Sequence, residues 1–237
     1  MLNRSQIDSR YSFTSPFKSG SGWRLAGFTL VEMLVVITLI ALVAGVAVPA
    51  VNSILRGSKL THSAQLVIDQ FTLARQTALS KNRAVEVRIY RYGDPETPGE
   101  DKTVSSSGRY RAIQLFEIPD SGTATPLGNM LRLASSIFFD SGATLSTLIN
   151  PPANSTAPTL TSSGSQTVSV STMGTTYDSV SFRFNADGST NLDTAKLWFL
   201  TLHNLNDKDA QAAPPTNFFT IQIEPTNGHI KAFRPSL

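Results

Sequence analysis

The 237-residue chain has no cysteine, which excludes disulfides and thiolate metal sites and fits an exported protein. With no C-terminal prenylation box and no lipoprotein cysteine, sulfur-linked lipid anchoring is excluded as well. Only three histidines occur, His62, His203 and His229. None has a second histidine or a carboxylate at ligand spacing along the chain, so no transition-metal site is expected. A Gly-x-Ser-x-Gly elbow, a phosphate-cradling glycine loop and a paired-carboxylate motif are also missing. The expectation is therefore no enzymatic activity and no cofactor.

A basic body is lacking too, despite a formal charge of +3. Residues 1–27 hold Arg4, Arg10, Lys18 and Arg24 against Asp8, which accounts for the whole surplus. The remainder is formally neutral, so the high pI belongs to a leader and carries no suggestion of nucleic-acid binding. Basic residues just ahead of an apolar run mark the cytoplasmic side of a membrane.

That run is what the chain does have. Phe28 to Val51 is a 24-residue, almost uniformly apolar stretch, about 36 Å long as a helix and sufficient to cross a bilayer. Its single ionisable group is Glu32. A carboxylate in hydrocarbon costs roughly 2.5–3.5 kcal/mol even on lenient scales, so it needs a partner. An α-amine freed by cutting between Gly27 and Phe28 would supply one. A secretory signal would have a shorter apolar region and a small-x-small site; Gly45-Val46-Ala47 offers such a site, but the run is too long and begins with an acid. A plain signal anchor leaves Glu32 unexplained, and a buried core helix rarely needs so continuous an apolar run.

Gly27-Phe28-Thr29-Leu30-Val31-Glu32 resembles the processing motif of type IV pilins and type II secretion pseudopilins. The resemblance implies cleavage after Gly27 by prepilin peptidase, methylation of the Phe28 amine, and neutralisation of a neighbouring subunit's amine by Glu32. Pro49 falls where this family commonly kinks its helix near the outer membrane face. Proline removes a backbone donor and clashes one turn back, which kinks a helix on physical grounds alone.

Beyond Pro49 the run turns amphipathic. Ala64, Val67, Ile68, Phe71, Ala74, Ala78 and Leu79 follow the spacing of one helix face, opposite Lys59, Gln65, Asp69, Gln70, Gln76 and Lys81. Phe28 to about Ser80 is thus expected as one helix of order 80 Å, with Gly57-Ser58 as a second weak point. At Val85 the period becomes two. Val85, Val87 and Ile89 alternate with Glu86, Arg88 and Tyr90 as in a half-buried strand. Further strands are expected at Tyr110–Ile118, Ile137–Phe139, Val180–Phe184 and Leu197–Leu202. A closing hairpin of 218–223 and 230–233 turns at Pro225-Thr226-Asn227-Gly228. Residues 141–179, rich in Ser, Thr, Gly, Asn and Pro, read as a surface insertion, mobile or partly disordered, with an edge strand at Thr167–Ser171.

The fold class is therefore α+β: a transmembrane-then-amphipathic N-terminal helix packed on an antiparallel sheet head, pilin-like in architecture. The expected organisation is a removed leader (1–27), a membrane and filament-core half-helix (28–51), an amphipathic half (52–81) and a periplasmic head (82–237). Ala74-Arg75-Gln76-Thr77-Ala78, Phe182-x-Phe184 with Asp187-Gly188, and Gly228-His229-Ile230 are similar to the minor pseudopilin H family and its DNA-uptake minor pilin branch.

Two sharper site readings compete with plainer ones. Asp187, Ser189, Asn191 and Asp193 alternate as calcium ligands do, but Asp-Gly is itself a turn signal and no bidentate glutamate follows; the turn is the expectation, and no metal. Phe182, Phe184, Trp198, Phe199, Phe218 and Phe219 read as core or cross-strand aromatics before a nucleic-acid platform. Lys231 and Arg234 are the residues a DNA-binding tail would use, yet His229 stands where that branch would have arginine.

The resemblance implies a structural minor pseudopilin-like subunit of a type II secretion-like or type IV pilus-like system. It would be a single-pass inner-membrane protein with its N-terminus cytoplasmic and its head periplasmic, later incorporated into a filament. Its partners would be prepilin peptidase, other pilin or pseudopilin subunits and an inner-membrane assembly platform. The alternative is a DNA-binding minor pilin of a transformation uptake filament.

Overall fold

The structure, a computed structural model, describes residues 27–101, 103–120, 122–161 and 176–235, without the side chains of 46–53. The leader and the expected edge strand at 167–171 lie outside the described residues. The chain divides between Val48 and Pro49 into two compact units. Helix α1 (Leu30–Lys81) is 52 residues long, close to its expected extent.

In the second unit, Leu60, Ala64, Val67, Phe71, Ala74 and Ala78 recur at intervals of three and four and are completely buried. His62, Gln65, Asp69 and Gln76 are exposed or half-buried on the other side. Leu79, expected on the buried face, is 43% exposed. One residue past Ala78, it is rotated about 100° off the stripe. The helix ends in a Schellman-type stop: Asn82 takes a left-handed φ of 52°, and the Arg83 amide reaches back to the Ala78 carbonyl at 3.2 Å.

Among the described residues nine strands follow: β1 (Val85–Tyr92), β2 (Arg109–Glu117), β3 (Thr125–Arg132), β4 (Ile137–Phe139), β5 (Thr159–Thr161), β6 (Asp178–Phe184), β7 (Trp198–Asn204), β8 (Phe218–Ile223) and β9 (Ile230–Phe233). They form one sheet in the order β5-β6-β1-β2-β4-β7-β8-β9, with β3 also on β2. Every pairing is antiparallel. The core joins the α1 stripe to Val85, Val87, Ile89, Ile113, Leu115, Phe182, Phe184, Trp198 and Leu200. Phe71 meets Phe182 edge-on at 5.7 Å. Each such large apolar side chain withdrawn from water contributes about 1.5–3 kcal/mol.

Several expectations are corrected. β1 is covered on both faces: Glu86 and Tyr90, expected on its wet side, are buried. Tyr90, Tyr92, Ala112 and Tyr177 form a second apolar cluster. Glu86 is satisfied by Arg88 Nε at 2.6 Å and Arg183 Nε at 2.8 Å, which is how a buried carboxylate persists. β3 is an addition that the hydropathy pattern does not announce. The 141–161 part of the Ser/Thr-rich stretch is integrated rather than a surface insertion, since Leu148, Ile149 and Ala157 belong to the main core.

Two turns distant in sequence lean on one another. Gly228 adopts φ +63°, and a Cβ there would stand 2.3 Å from the Gly188 carbonyl oxygen. Thr190 N–H donates to Pro225 O at 2.8 Å, and Arg75 Nε of α1 donates to Asn227 O at 2.8 Å. Elsewhere, the buried Arg111 donates to Asp94, Thr97 and Glu100, fastening the 93–100 loop to β2.

Candidate processing and assembly site

Gly27, Phe28 and Thr29 precede the first helical residue, Leu30. Thr29 is the N-cap, because its carbonyl accepts the first helical bond, from Met33 N–H at 3.2 Å. Its hydroxyl accepts from Glu32 N–H at 3.1 Å. In return Glu32 Oε2 accepts from both the amide and the hydroxyl of Thr29, each at 3.1 Å. This is a reciprocal capping box, and the carboxylate also sits at the positive end of the helix dipole. Glu32 therefore has partners within its own chain. Both bonds fall on Oε2, which leaves Oε1 for another donor.

Gly27 is fully accommodated by empty space: a Cβ built on it meets nothing within 4 Å. The fold itself places no steric demand on this position. Any requirement for glycine there must come from something that reads the chain.

From residue 28 to residue 45 every side chain is exposed. Phe28 is 74%, Leu30 82% and Leu42 70% exposed, alongside Val31, Met33, Leu34, Ile37, Ile40 and Val43. Thr38, the polar residue in the middle of this run, returns its hydroxyl to the Val35 carbonyl at 2.8 Å. The helix thus offers a continuous apolar surface with its polar atoms internally satisfied, the kind of patch that marks a lipid or protein contact. Among the described residues no helix is long and apolar enough to cross a membrane. The expected span over 28–51 includes the side chains of 46–51, which are outside those described, and Pro49 is the first residue of the second unit.

Residues 24–48 match the family model of the prokaryotic N-terminal methylation motif. The chain carries that motif. The methylation motif covers Gly27, Phe28 and Glu32, and with it the expected resemblance at this N-terminal motif is borne out. No curated protein matches the chain. Among solved structures, the minor pseudopilin EpsH from the type 2 secretion system of Vibrio cholerae is 11% identical, with a TM-score of 0.41 over 76% of this chain and 99% of that one. The type IV minor pilin FimU of Pseudomonas aeruginosa is 13% identical, with a TM-score of 0.38 over 76% and 94%.

The remaining candidate residues belong to the second unit. Asp187 Oδ1 accepts from Ser189 N–H and Oγ–H, bonds that hold its carboxyl below the usual carboxylate range. Asn191 accepts from Arg183 N–H, and Asp193 from Ala195 N–H. Their oxygens thus serve nearby protein donors, and Asp193 Oδ2 also faces Lys196 Nζ at 3.6 Å. Lys231 is exposed on β9, but Arg234 donates to Thr61 of α1, so the two basic residues do different work. The aromatics Phe182, Phe184, Trp198 and Phe219 are buried.

One constellation lies beyond what the sequence announces. His203 has no carboxylate at a ligand spacing by strand geometry, yet the fold brings it against Asp140, 63 residues away, at 3.0 Å. Asp207 stands 3.7 Å from its other nitrogen. Pairing of β4 with β7, Phe138 opposite His203, creates this proximity, and only the topology could have revealed it.

Proposed function

We propose that this chain is a structural subunit of a pilin-like filament, processed between Gly27 and Phe28. The methylation motif on a capped, exposed apolar helix start is the observation that carries this reading. Prepilin peptidase would cut after Gly27, whose lack of a side chain keeps the scissile bond open. The whole capping box lies on the mature side of that cut. Glu32 then enters assembly with Oε2 held by Thr29 and Oε1 directed to a second donor, the methylated Phe28 amine of a neighbouring subunit.

The helix from Phe28 to Val51 would anchor the subunit in the inner membrane, head outward, before extraction into the filament by an assembly platform. In the filament its apolar side chains would pack against neighbouring helices, so the work is mechanical rather than catalytic. A secretion pseudopilus is the favoured setting over a DNA-uptake filament, because the post-leader chain is neutral and Arg234 is engaged by α1.

Mass analysis of the N-terminus of the membrane-extracted protein tests the reading. The expected mature chain starts at N-methyl-Phe28. Recovery of an intact chain from cells with an active prepilin peptidase would overturn it.

A further inference from the structure

Asp140, His203 and Asp209 each present a ligand atom, and these atoms lie within 4.8 Å of one another. Asp140 and His203 are completely buried, and Asp209 is half-buried. The His203 ring is fixed edge-on against Phe138 at 4.3 Å. Asp140, one residue beyond β4, is fixed by its own amide bond to Thr201 O at 2.9 Å.

Backbone amides orient both carboxylates. Asp140 Oδ1 accepts from Gly142 N–H at 2.8 Å, and its Oδ2 from Ala210 N–H at 3.1 Å. Asp209 Oδ1 accepts from Ser141 N–H and Ala210 N–H, each at 2.8 Å, and its Oδ2 from Ser141 Oγ–H at 2.9 Å. Among the described residues, the ion pairs at Asp140 and Asp207 involve His203 alone, and Asp209 has none.

Three carboxylates therefore surround one imidazole, and the imidazole cannot serve them all as a neutral ring. With its proton on Nε2 it donates to Asp140 at 3.0 Å, leaving the buried Nδ1 without a hydrogen-bond partner and facing Asp207 Oδ2 at 3.7 Å. With its proton on Nδ1, that N–H points toward Asp207 and the Nε2 lone pair opposes Asp140. A cation between Nε2, Asp140 and Asp209 resolves the second arrangement and turns Asp207 into the outer carboxylate of a carboxylate–histidine–metal relay.

We propose that Asp140, His203 and Asp209 bind a divalent cation of the zinc class. One imidazole nitrogen with two carboxylate oxygens suits an ion of borderline softness better than the all-oxygen preference of calcium or magnesium. Bonds of about 2.0–2.2 Å put the ligand atoms around one ion roughly 3.0–3.5 Å apart. The Asp140–His203 pair already has that spacing, and Asp209, on the loop between β7 and β8, closes by a small movement. Three protein ligands leave the fourth tetrahedral position to water. The bound ion fastens that loop to the segment after β4.

The full chain in detergent, stripped with chelator and titrated with Zn2+ alone, tests this by equilibrium dialysis with elemental analysis and by thermal unfolding. One equivalent per chain is expected, with a rise in the unfolding midpoint that chelator reverses. Asp209→Asn keeps an oxygen for Ser141 and should bind at least tenfold more weakly; Asp207→Asn should lose about 10–100-fold. Replacing the two other histidines, His62→Ala with His229→Ala, should change nothing. An unaltered chelated midpoint certifies that each variant is folded, and if Asp209→Asn fails that check Asp207→Asn decides. No bound zinc, equal affinity in wild type and Asp209→Asn, loss in the His62/His229 variant, or binding of Ca2+ in preference to Zn2+ would each overturn the site.

Discussion

Thr29 and Glu32 close a ring on one another: the threonine amide donates to Glu32 Oε2 and the glutamate amide to Thr29 Oγ1, both at 3.1 Å. One carboxylate thus caps a helix and offers a charge, and substitutions can separate the two roles. Glu32→Gln retains an acceptor for the cap and loses the charge. Thr29→Ala retains the charge and loses an N-cap worth about 0.5–2 kcal/mol. If the charge governs assembly, Glu32→Gln is excluded from filaments as fully as Glu32→Ala, while Thr29→Ala is incorporated. Filament pull-down with quantitative immunoblotting reads the outcome, and the reverse order would assign the role to the cap.

Gly27 offers a complementary test. Since a Cβ there meets nothing in the fold, Gly27→Ala and Gly27→Leu should leave the thermal midpoint of the head unchanged. Cleavage should separate them: slowed at most for alanine, abolished for leucine. Efficient processing of the leucine variant would remove the assignment of the cut.

Gly228 is constrained by the fold itself. Its φ of +63°, and the Gly188 carbonyl oxygen 2.3 Å from where a Cβ would stand, leave no room for a methyl group. A left-handed non-glycine residue costs about 1–3 kcal/mol before any clash. Gly228→Ala should therefore lower stability by at least that amount in chemical denaturation, whereas Gly99→Ala, also at positive φ but with open space around it, should cost less. Equal losses would show that the turn-to-turn contact is unimportant.

Alkaline stability should follow two buried phenols. Burial pushes Tyr90 and Tyr110 up to about 12, above the ordinary tyrosine value of about 10. The folded state therefore holds their protons longer than the unfolded chain does. Their contribution is complete below pH ~10 and is lost as pH rises through about 12. Tyrosinate absorbance and near-UV circular dichroism should change together over that interval, and Tyr90→Phe should move the loss to higher pH. Complete ionisation near pH 10 with an intact fold would contradict this.

Hydropathy periods make most of the fold legible: α1 buries a regular stripe from Leu60 to Ala78, and β6 and β8 alternate between buried and more open positions. β3 escapes: Thr125–Arg132 contains Pro126 and Gly128, lacks alternation, and is largely exposed. Its bonds to β2 rather than its side chains make it a strand. Leu145, Leu148 and Ile149 are hidden by the polar composition around them, though all are buried. At the methylation motif the residues are plain in the sequence, while the mutual capping of Thr29 and Glu32 is overshadowed by the apolar run they introduce. The His203 cluster needs strand pairing across 63 residues, which no local pattern encodes.

The outer strands of the sheet, β5 and β9, are three and four residues long. β9 carries Lys231 and is followed at once by Arg234 and Pro235, devices that discourage a further strand from docking. These two rims offer no long ladder to extend, whereas β3, eight residues long and largely exposed, pairs among the described strands with β2 alone. β5 and β9 are thus poorly suited to joining copies of this chain rim to rim.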